Sequence, residues 1–227
     1  MITLFDQYVD TQPHQELEPV TKQVINEYLG SFEPRFTYFE CPLTNDLYDK
    51  QNMRPFIENI DHLLWPPVHV GYKTFYSAEE LRFYLQYQDG LAWKNEKMWG
   101  NSLTTIACHA EPSGLQSTMG LISHNELQEI FKDYGSDTSS ILFFSSCNLF
   151  KEKERGQELL AASKCKGLFG FTGEIGYTSG AILDLLLISV FYMYLDKNPF
   201  NYLVDIYEIV RDSFTPAKDA GFTLFVP

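Results

Sequence analysis

The feature that most constrains the fold is a pair of short apolar segments that each end on a chemically reactive residue. Residues 103–110 read LTTIACHA, and residues 141–147 read ILFFSSC. Both are rich in β-branched, aliphatic or aromatic residues, a composition typical of buried strands. The first segment closes at His109 and the second at Cys147, so both predicted strands end in side chains able to take part in covalent chemistry.

The segment between these two strands predicts how they lie relative to each other. Ser123 to Tyr134 (SHNELQEIFKDY) has the pattern of an amphipathic helix. A strand–helix–strand unit forms a right-handed crossover with parallel strands, which end on the same edge of the sheet. If the strands are neighbours, His109 and Cys147 lie side by side, as a Cys–His nucleophile pair requires. The competing interpretation is structural, because cysteine is among the most buried residue types.

The same alternation of strands and helices continues along the chain. The predicted strands are 35–41, 68–75, 103–110, 140–147, 167–172 and 222–226. The predicted helices between them are 53–64, 77–86, 123–134, 155–163, 178–195 and 200–213, and Ser77 with Glu80 forms a capping box. This order predicts an α/β three-layer sandwich around a mostly parallel six-stranded sheet. Residues 1–33 are predicted to be an N-terminal extension, with a helix over 18–28, and residues 34–227 to be the main domain.

Composition excludes several classes of function. Hydrophobic residues make up 44% of the chain, enough for a full core, and the net charge is −13. Such an acidic surface repels phosphate backbones and anionic lipids, so neither nucleic acid nor a membrane surface is an expected partner. The four cysteines have no CxxC spacing, so no metal site, cofactor or disulfide framework is expected.

The start of the chain and its most apolar segment are not expected to be targeting signals. The start, MITLFDQYVD, lacks the basic and apolar regions of a signal peptide, and a reducing cytoplasm is the expected location. Ala181 to Leu195 is the most apolar run, but it is too short to span a bilayer comfortably and Asp184 interrupts it. We expect it to form a buried helix that covers the sheet.

Three segments together resemble a known family. They are TTIACHAEPSGLQ, ILFFSSCNLF and the glycine-rich strand with its apolar helix, CKGLFGFTGEIGYTSGAILDLLLISVFYMYL. In their order, with His after the third strand and Cys after the fourth, they resemble the caspase-like fold of clan CD cysteine peptidases. The similarity is greatest to the small bacterial CHAT-type members. It implies a regulated endopeptidase that cleaves a protein partner in signalling or defence, with a possible regulatory protein partner.

The resemblance also implies roles for individual residues. Cys147 would be the nucleophile and His109 its base, and the backbone amides of Ala110 and Cys147 would form the oxyanion hole. Ala110 replaces the usual glycine, and Ser145 stands where members that cleave after Lys or Arg often carry an acid. Both Ser145 and Glu40 are candidate substrate-binding residues. Glu40 would supply an acidic wall, or it is a solvated carboxylate at a strand end.

Several alternatives remain open at this point. A second hypothesis is a non-catalytic interaction module on the same fold, with His109 and Cys147 silent and residues 1–33 serving as a docking segment. An unrelated α/β nucleotide or response-regulator domain fits less well, because the glycines match neither G-x-G-x-x-G nor a P-loop. Cys108 is expected to point into the core and Cys165 to be structural, and His69 and His124 are interpreted as structural or solvent-facing. The loop after Cys147 is short, so cleavage of a linker there is not expected to be needed for activity.

Overall fold

A computed structural model describes residues 35–42, 52–60, 69–85, 102–134, 140–194 and 199–227. The strands are β1 (Arg35–Glu40), β2 (His69–Thr74), β3 (Ser102–Ala107), β4 (Ala110–Glu111), β5 (Gly114–Ser117), β6 (Gly120–Ser123), β7 (Ser140–Ser145), β8 (Gly167–Phe171) and β9 (Phe222–Phe225). The helices are α1 (Arg54–Ile57), α2 (Ala78–Phe83), α3 (His124–Ile130), α4 (Lys153–Ser163), α5 (Tyr177–Met193), α6 (Leu203–Ser213) and α7 (Thr215–Asp219), with a 3-10 turn at Pro199–Tyr202.

The main sheet has six strands in the order β2-β1-β3-β7-β8-β9. All of its strand pairs are parallel except β8 with β9, which is antiparallel. The predicted adjacency of β3 and β7 is confirmed, since the two pair in parallel with Ala107 opposite Ser145. The chain runs from β1 to β2 on one side and then returns to place β3 on the other side of β1. The strand order therefore reverses beside β1, at the position where ligands of open α/β sheets usually bind.

The sheet lies between two hydrophobic clusters, one on each face. Alternate residues of β7 show this division, because Ile141 and Phe143 belong to one cluster while Leu142 and Phe144 belong to the other. Buried residues of α5 and α6 pack in the first cluster, and those of α2, α3 and α4 pack in the second. The described residues thus form an α/β protein with a six-stranded, mostly parallel sheet and helices on both faces. The apolar run that begins at Ala181 lies within helix α5, which covers the sheet as expected but is buried on one face only, since Ile182 and Met193 are exposed.

Local sequence signals explain where two of the helices begin. The Ser77 side chain accepts a hydrogen bond from the amide of Glu80 at the start of α2. Ser123 and Glu126 form a reciprocal capping box at the start of α3. These side chains satisfy amide groups that have no partner inside a helix, so each helix begins where its cap stands.

A second sheet, absent from the sequence prediction, follows His109. Strands β4, β5 and β6 form a three-stranded antiparallel sheet between β3 and α3. The sequence predicted helix over 53–64, but α1 ends at Ile57, and residues 61–68 lie outside the described ranges. The predicted extension of residues 1–33 also lies outside them. Within the described ranges, no helix is long and apolar enough to cross a membrane.

Candidate active site

A cleft of about 540 Å³ opens at the carboxyl ends of β1, β3 and β7. Four of the five residues that the sequence singled out line it: His109, Ala110, Ser145 and Cys147. The loop that enters α5 and the first turns of α5 form the facing wall. The cleft lies where the strand order reverses, the usual position for a ligand in this kind of sheet.

Cys147 is held in a turn directly after β7. Its thiol is partly exposed and lies against the backbone of Ile175, donating to the carbonyl at 3.3 Å and accepting from the amide at 3.4 Å. The next residue, Asn148, has a left-handed backbone with φ of 57°, and its amide donates to the carbonyl of Gly173 at 2.9 Å. This turn redirects the chain out of the sheet and leaves the sulfur at the cleft surface.

His109 follows the end of β3 and is exposed at the cleft. It lies two residues beyond Ala107, just as Cys147 lies two residues beyond Ser145, and Ala107 and Ser145 are directly paired. The backbone carbonyl of His109 accepts from the amide of Gln116 at 2.7 Å, which fixes the chain at this point. No hydrogen bond joins the imidazole to the thiol within the described part of the chain. Catalytic hydrogen bonds often form only once substrate is bound, so the missing bond does not argue against a Cys–His pair.

Ala110 is buried and begins β4, where it pairs with Leu115. It is not among the described non-glycine residues that have a positive φ. Alanine therefore fits this backbone without strain, so no glycine is needed here.

Ser145 and Glu40 have different surroundings. The Ser145 hydroxyl lines the cleft and donates to Oδ1 of Asp184 at 2.7 Å. Glu40 is buried, and its carboxylate accepts from the Met53 amide at 3.0 Å and from the Tyr72 hydroxyl at 2.5 Å. It is not one of the residues that line the cleft. The structure therefore brings Ser145 to the site and places Glu40 behind it, where it ties β1 to β2 and to the start of α1.

Sequence reasoning missed one residue of the site, Asp184. This aspartate of α5 lines the cleft although only 2% of its surface is exposed, and the Tyr38 hydroxyl donates to its Oδ2. Burial raises the pKa of Asp184 to about 7, against the lowering effect of the hydrogen bonds from Tyr38 and Ser145. The signal was in the sequence, since an acid inside a helix that is apolar all round is almost never buried without a partner.

Two further cysteines, Cys41 and Cys108, contribute to the cleft wall. Cys41 and Cys108 follow the paired ends of β1 and β3, and both are buried and line the cleft. A hydrogen bond from the Cys108 thiol lowers the pKa of Cys41 to about 7 despite burial, and the same contact raises the pKa of Cys108. Cys108 belongs to the core cluster, as the sequence indicated, and also reaches the cleft wall.

Cys165 and His124 contact the core or the backbone, and neither lines the cleft. Cys165 is buried in the core, and the His124 Nε2 lies 3.1 Å from the Pro112 carbonyl at the start of α3. The side chain of His69 lies outside what the structure describes. No group of three or more potential metal ligands occurs among the described residues.

Comparison with known proteins gives no assignment: no protein-family model matches the chain, and no curated protein matches it significantly.

Proposed function

We propose that this chain is a caspase-like cysteine endopeptidase that cleaves a protein partner through Cys147 and His109. The observation that carries the proposal is the cleft that holds both side chains, at equivalent ends of two directly paired parallel strands. A regulated role in signalling or defence follows from the family resemblance of the His and Cys segments.

The reaction would proceed in two steps. Cys147 Sγ attacks the carbonyl carbon of the scissile bond while its proton passes to His109, and His109 then protonates the leaving amine. Water, deprotonated by His109, hydrolyses the resulting thioester and restores the thiol. The amides of Ala110 and Cys147 would stabilise the tetrahedral oxyanion, an effect worth about 3 kcal/mol for each donor in a well-studied protease.

A peptide electrophile that reacts only with an activated thiol tests the proposal. We expect an acyloxymethyl ketone peptide to label the wild-type protein on Cys147, and mass spectrometry to locate the adduct there. His109→Ala should slow labelling at least about 100-fold, within the range for loss of a general base. Cys165→Ala, which removes a core thiol, is the matched control and should label at the wild-type rate. Labelling that is equally fast without His109 would contradict the dyad.

The contact between Cys147 and Ile175 favours a second candidate, the non-catalytic interaction module. The thiol donates to one backbone group of Ile175 and accepts from another, so its polar contacts are satisfied without His109. This second function would be supported if Cys147 were unreactive and the protein bound a stable protein partner. The Cys147→Ala variant should then bind the same partner. A peptide-library cleavage profile of wild type against Cys147→Ala separates the two.

A further inference from the structure

Asp184 is a buried acid that forms no ion pair with any described residue. Its two carboxylate oxygens accept hydrogen bonds from neutral hydroxyl groups, Oδ2 from Tyr38 and Oδ1 from Ser145. None of the ion pairs between described residues includes Asp184. A buried carboxylate is stable only when paired or well hydrogen-bonded, and two neutral donors compensate it incompletely.

Small residues leave space beside this carboxylate. Gly180 and Ala181 precede Asp184 by four and three residues, so all three share one face of α5, and all three line the cleft. A Cβ atom built at Gly180 meets only a terminal methyl group of Ile175, at 3.8 Å. Ala107, at the end of β3, lines the same space. The cleft is therefore open along the helix face that ends at Asp184.

The thiol and the carboxylate are fixed to each other through β7. Ser145 donates to Asp184 and lies two residues before Cys147 on the same chain segment. The acid and the thiol therefore lie at the same end of β7 and line the same cleft.

Apart from His109, the charged side chains among the described residues that line the cleft are all acids. The described lining includes the acids Glu111, Glu174 and Asp184 but no lysine or arginine. Acidic walls of low dielectric focus the field and attract cations. Because a carboxylate pairs far more strongly with a cation in a desolvated site than in water, Asp184 favours a positively charged group.

We infer that Asp184 is the specificity-determining residue of this cleft and that it binds the ammonium or guanidinium group of a Lys or Arg side chain next to the scissile bond. The position of this side chain next to a cleaved bond rests on the proposed peptidase function, but the binding of a cation to Asp184 does not depend on catalysis. Tyr38 and Ser145 act as positioning residues that fix the carboxylate at the cleft wall. The raised pKa of Asp184 is consistent with a carboxylate that lacks its cation in the free protein.

Labelling rates test the specificity. We compare two acyloxymethyl ketone peptides that differ only in carrying arginine or citrulline, its neutral isostere, at the reactive position. Wild type should react with the arginine probe about 100-fold faster, the range expected for a desolvated charge pair. Asp184→Asn should remove that ratio while still reacting with the citrulline probe, and Glu208→Gln, at an exposed position of α6 outside the cleft, should keep it. Equal rates for both probes in the wild type overturn the inference.

A binding measurement separates this inference from the proposed function. Agmatine carries the guanidinium group, and N-carbamoylputrescine is its neutral counterpart. Calorimetry with the Cys147→Ala protein should detect agmatine binding, weak or absent binding of the neutral analogue, and loss of agmatine binding in the Cys147→Ala/Asp184→Asn double variant. If agmatine binds but Cys147 is never labelled, the peptidase proposal fails and the cation site stands. If agmatine does not bind, or binds equally without the acid, the cation site is wrong.

A second variant covers the case in which the Asp184 substitution does not fold. Gly180→Leu leaves the acid in place and fills the space beside it. We expect the variant to lose agmatine binding, while Gly180→Ala retains it, because a single methyl group meets only an ordinary contact. Unchanged agmatine affinity in Gly180→Leu would overturn the assignment of this space as the binding site.

Discussion

At the scale of single residues, Asp184 has a consequence for stability as well as for binding. The pKa of its carboxyl group is about 7 in the folded chain, well above the value near 4 expected in the unfolded chain. Between these two pH values the folded state binds more protons than the unfolded state. The free energy of unfolding therefore falls as the pH rises from about 4 to about 7, and this contribution is constant above pH 7. The groups that face the carboxyl group are Tyr38 and Glu40 from β1 and Ser145 from β7.

Replacing this acid should change the pH dependence of stability in a defined direction. Asp184→Asn removes the ionisable group, so its free energy of unfolding should rise relative to wild type between pH 4 and pH 8. The full effect is on the order of 4 kcal/mol, the free energy that corresponds to the pKa difference. Urea denaturation at a series of pH values measures it. Asp205→Asn, an exposed position on α6, is the control and should follow the wild-type curve, whereas parallel curves for Asp184→Asn would refute the buried titration.

The residues of the site differed in how far the sequence could predict them. His109 and Cys147 could be predicted, because each ends a strand that its local sequence pattern indicates. Parallel strands end at the same edge of a sheet, so the two residues were expected to lie together. Asp184 was visible only as an acid inside an apolar run, and its contacts could not be predicted, because its partner Tyr38 lies 146 positions away and no local pattern encodes that contact. Glu40 shows the same limit, since its position at a strand end does not reveal that Met53 and Tyr72 enclose its carboxylate.

At the scale of the elements, packing of the β8 strand supports the turn that carries the nucleophile. A Cβ atom at Gly170 would lie 2.3 Å from the ring of Phe150, which is fully buried. The amide of Phe150 in turn donates to the carbonyl of Phe171 at 3.1 Å. Phe150 is the last residue of the turn that begins at Cys147, so a displaced ring would shift that turn.

Gly170→Ala should therefore reduce both stability and reactivity. We expect a loss of about 1–3 kcal/mol, the usual effect of overpacking a core, together with slower labelling of Cys147. Gly71→Ala is the matched control in β2, where an added Cβ has no neighbour within 4 Å. It should leave the free energy of unfolding unchanged or raise it by about 0.4–1 kcal/mol. Equal stabilities of the two variants, by urea denaturation, would show that the ring of Phe150 moves aside freely.

The elements also show where pattern reading succeeds. All six strands of the main sheet were predicted, because each has at least four residues and a composition typical of strands. The β4–β6 sheet was missed, since its strands have only two to four residues and depend on tight turns. Gly114 illustrates this: its φ is 149° and a Cβ there would lie 2.1 Å from the Ile122 carbonyl oxygen. This close contact exists only in the folded β4–β6 sheet. In the sequence it is marked only by an isolated glycine, which does not predict a strand.

At the scale of the whole molecule, the segment after the nucleophile is packed as part of the domain. Only residues 148–152 separate Cys147 from α4, and Leu149 and Phe150 among them are fully buried. Hydrogen bonds from the amides of Asn148 and Phe150 to Gly173 and Phe171 attach the segment to the end of β8. A protease needs several residues in an extended, accessible form, so cleavage here would require local unfolding of the core.

This packing leads to the prediction that the protein reacts as one intact chain. The labelled wild-type protein should migrate on SDS-PAGE as a single band near 26.2 kDa, with the adduct on Cys147. Lys151, Lys153 and Arg155 border the start of α4 and are the positions at which trypsin would cut, so a trace of nicking there is compatible with the prediction. The Cys147→Ala protein serves as the control for cleavage by the chain itself. If label enters only fragments split in this segment, while Cys147→Ala remains whole and unlabelled, then cleavage activates the protein and the packed segment must open first.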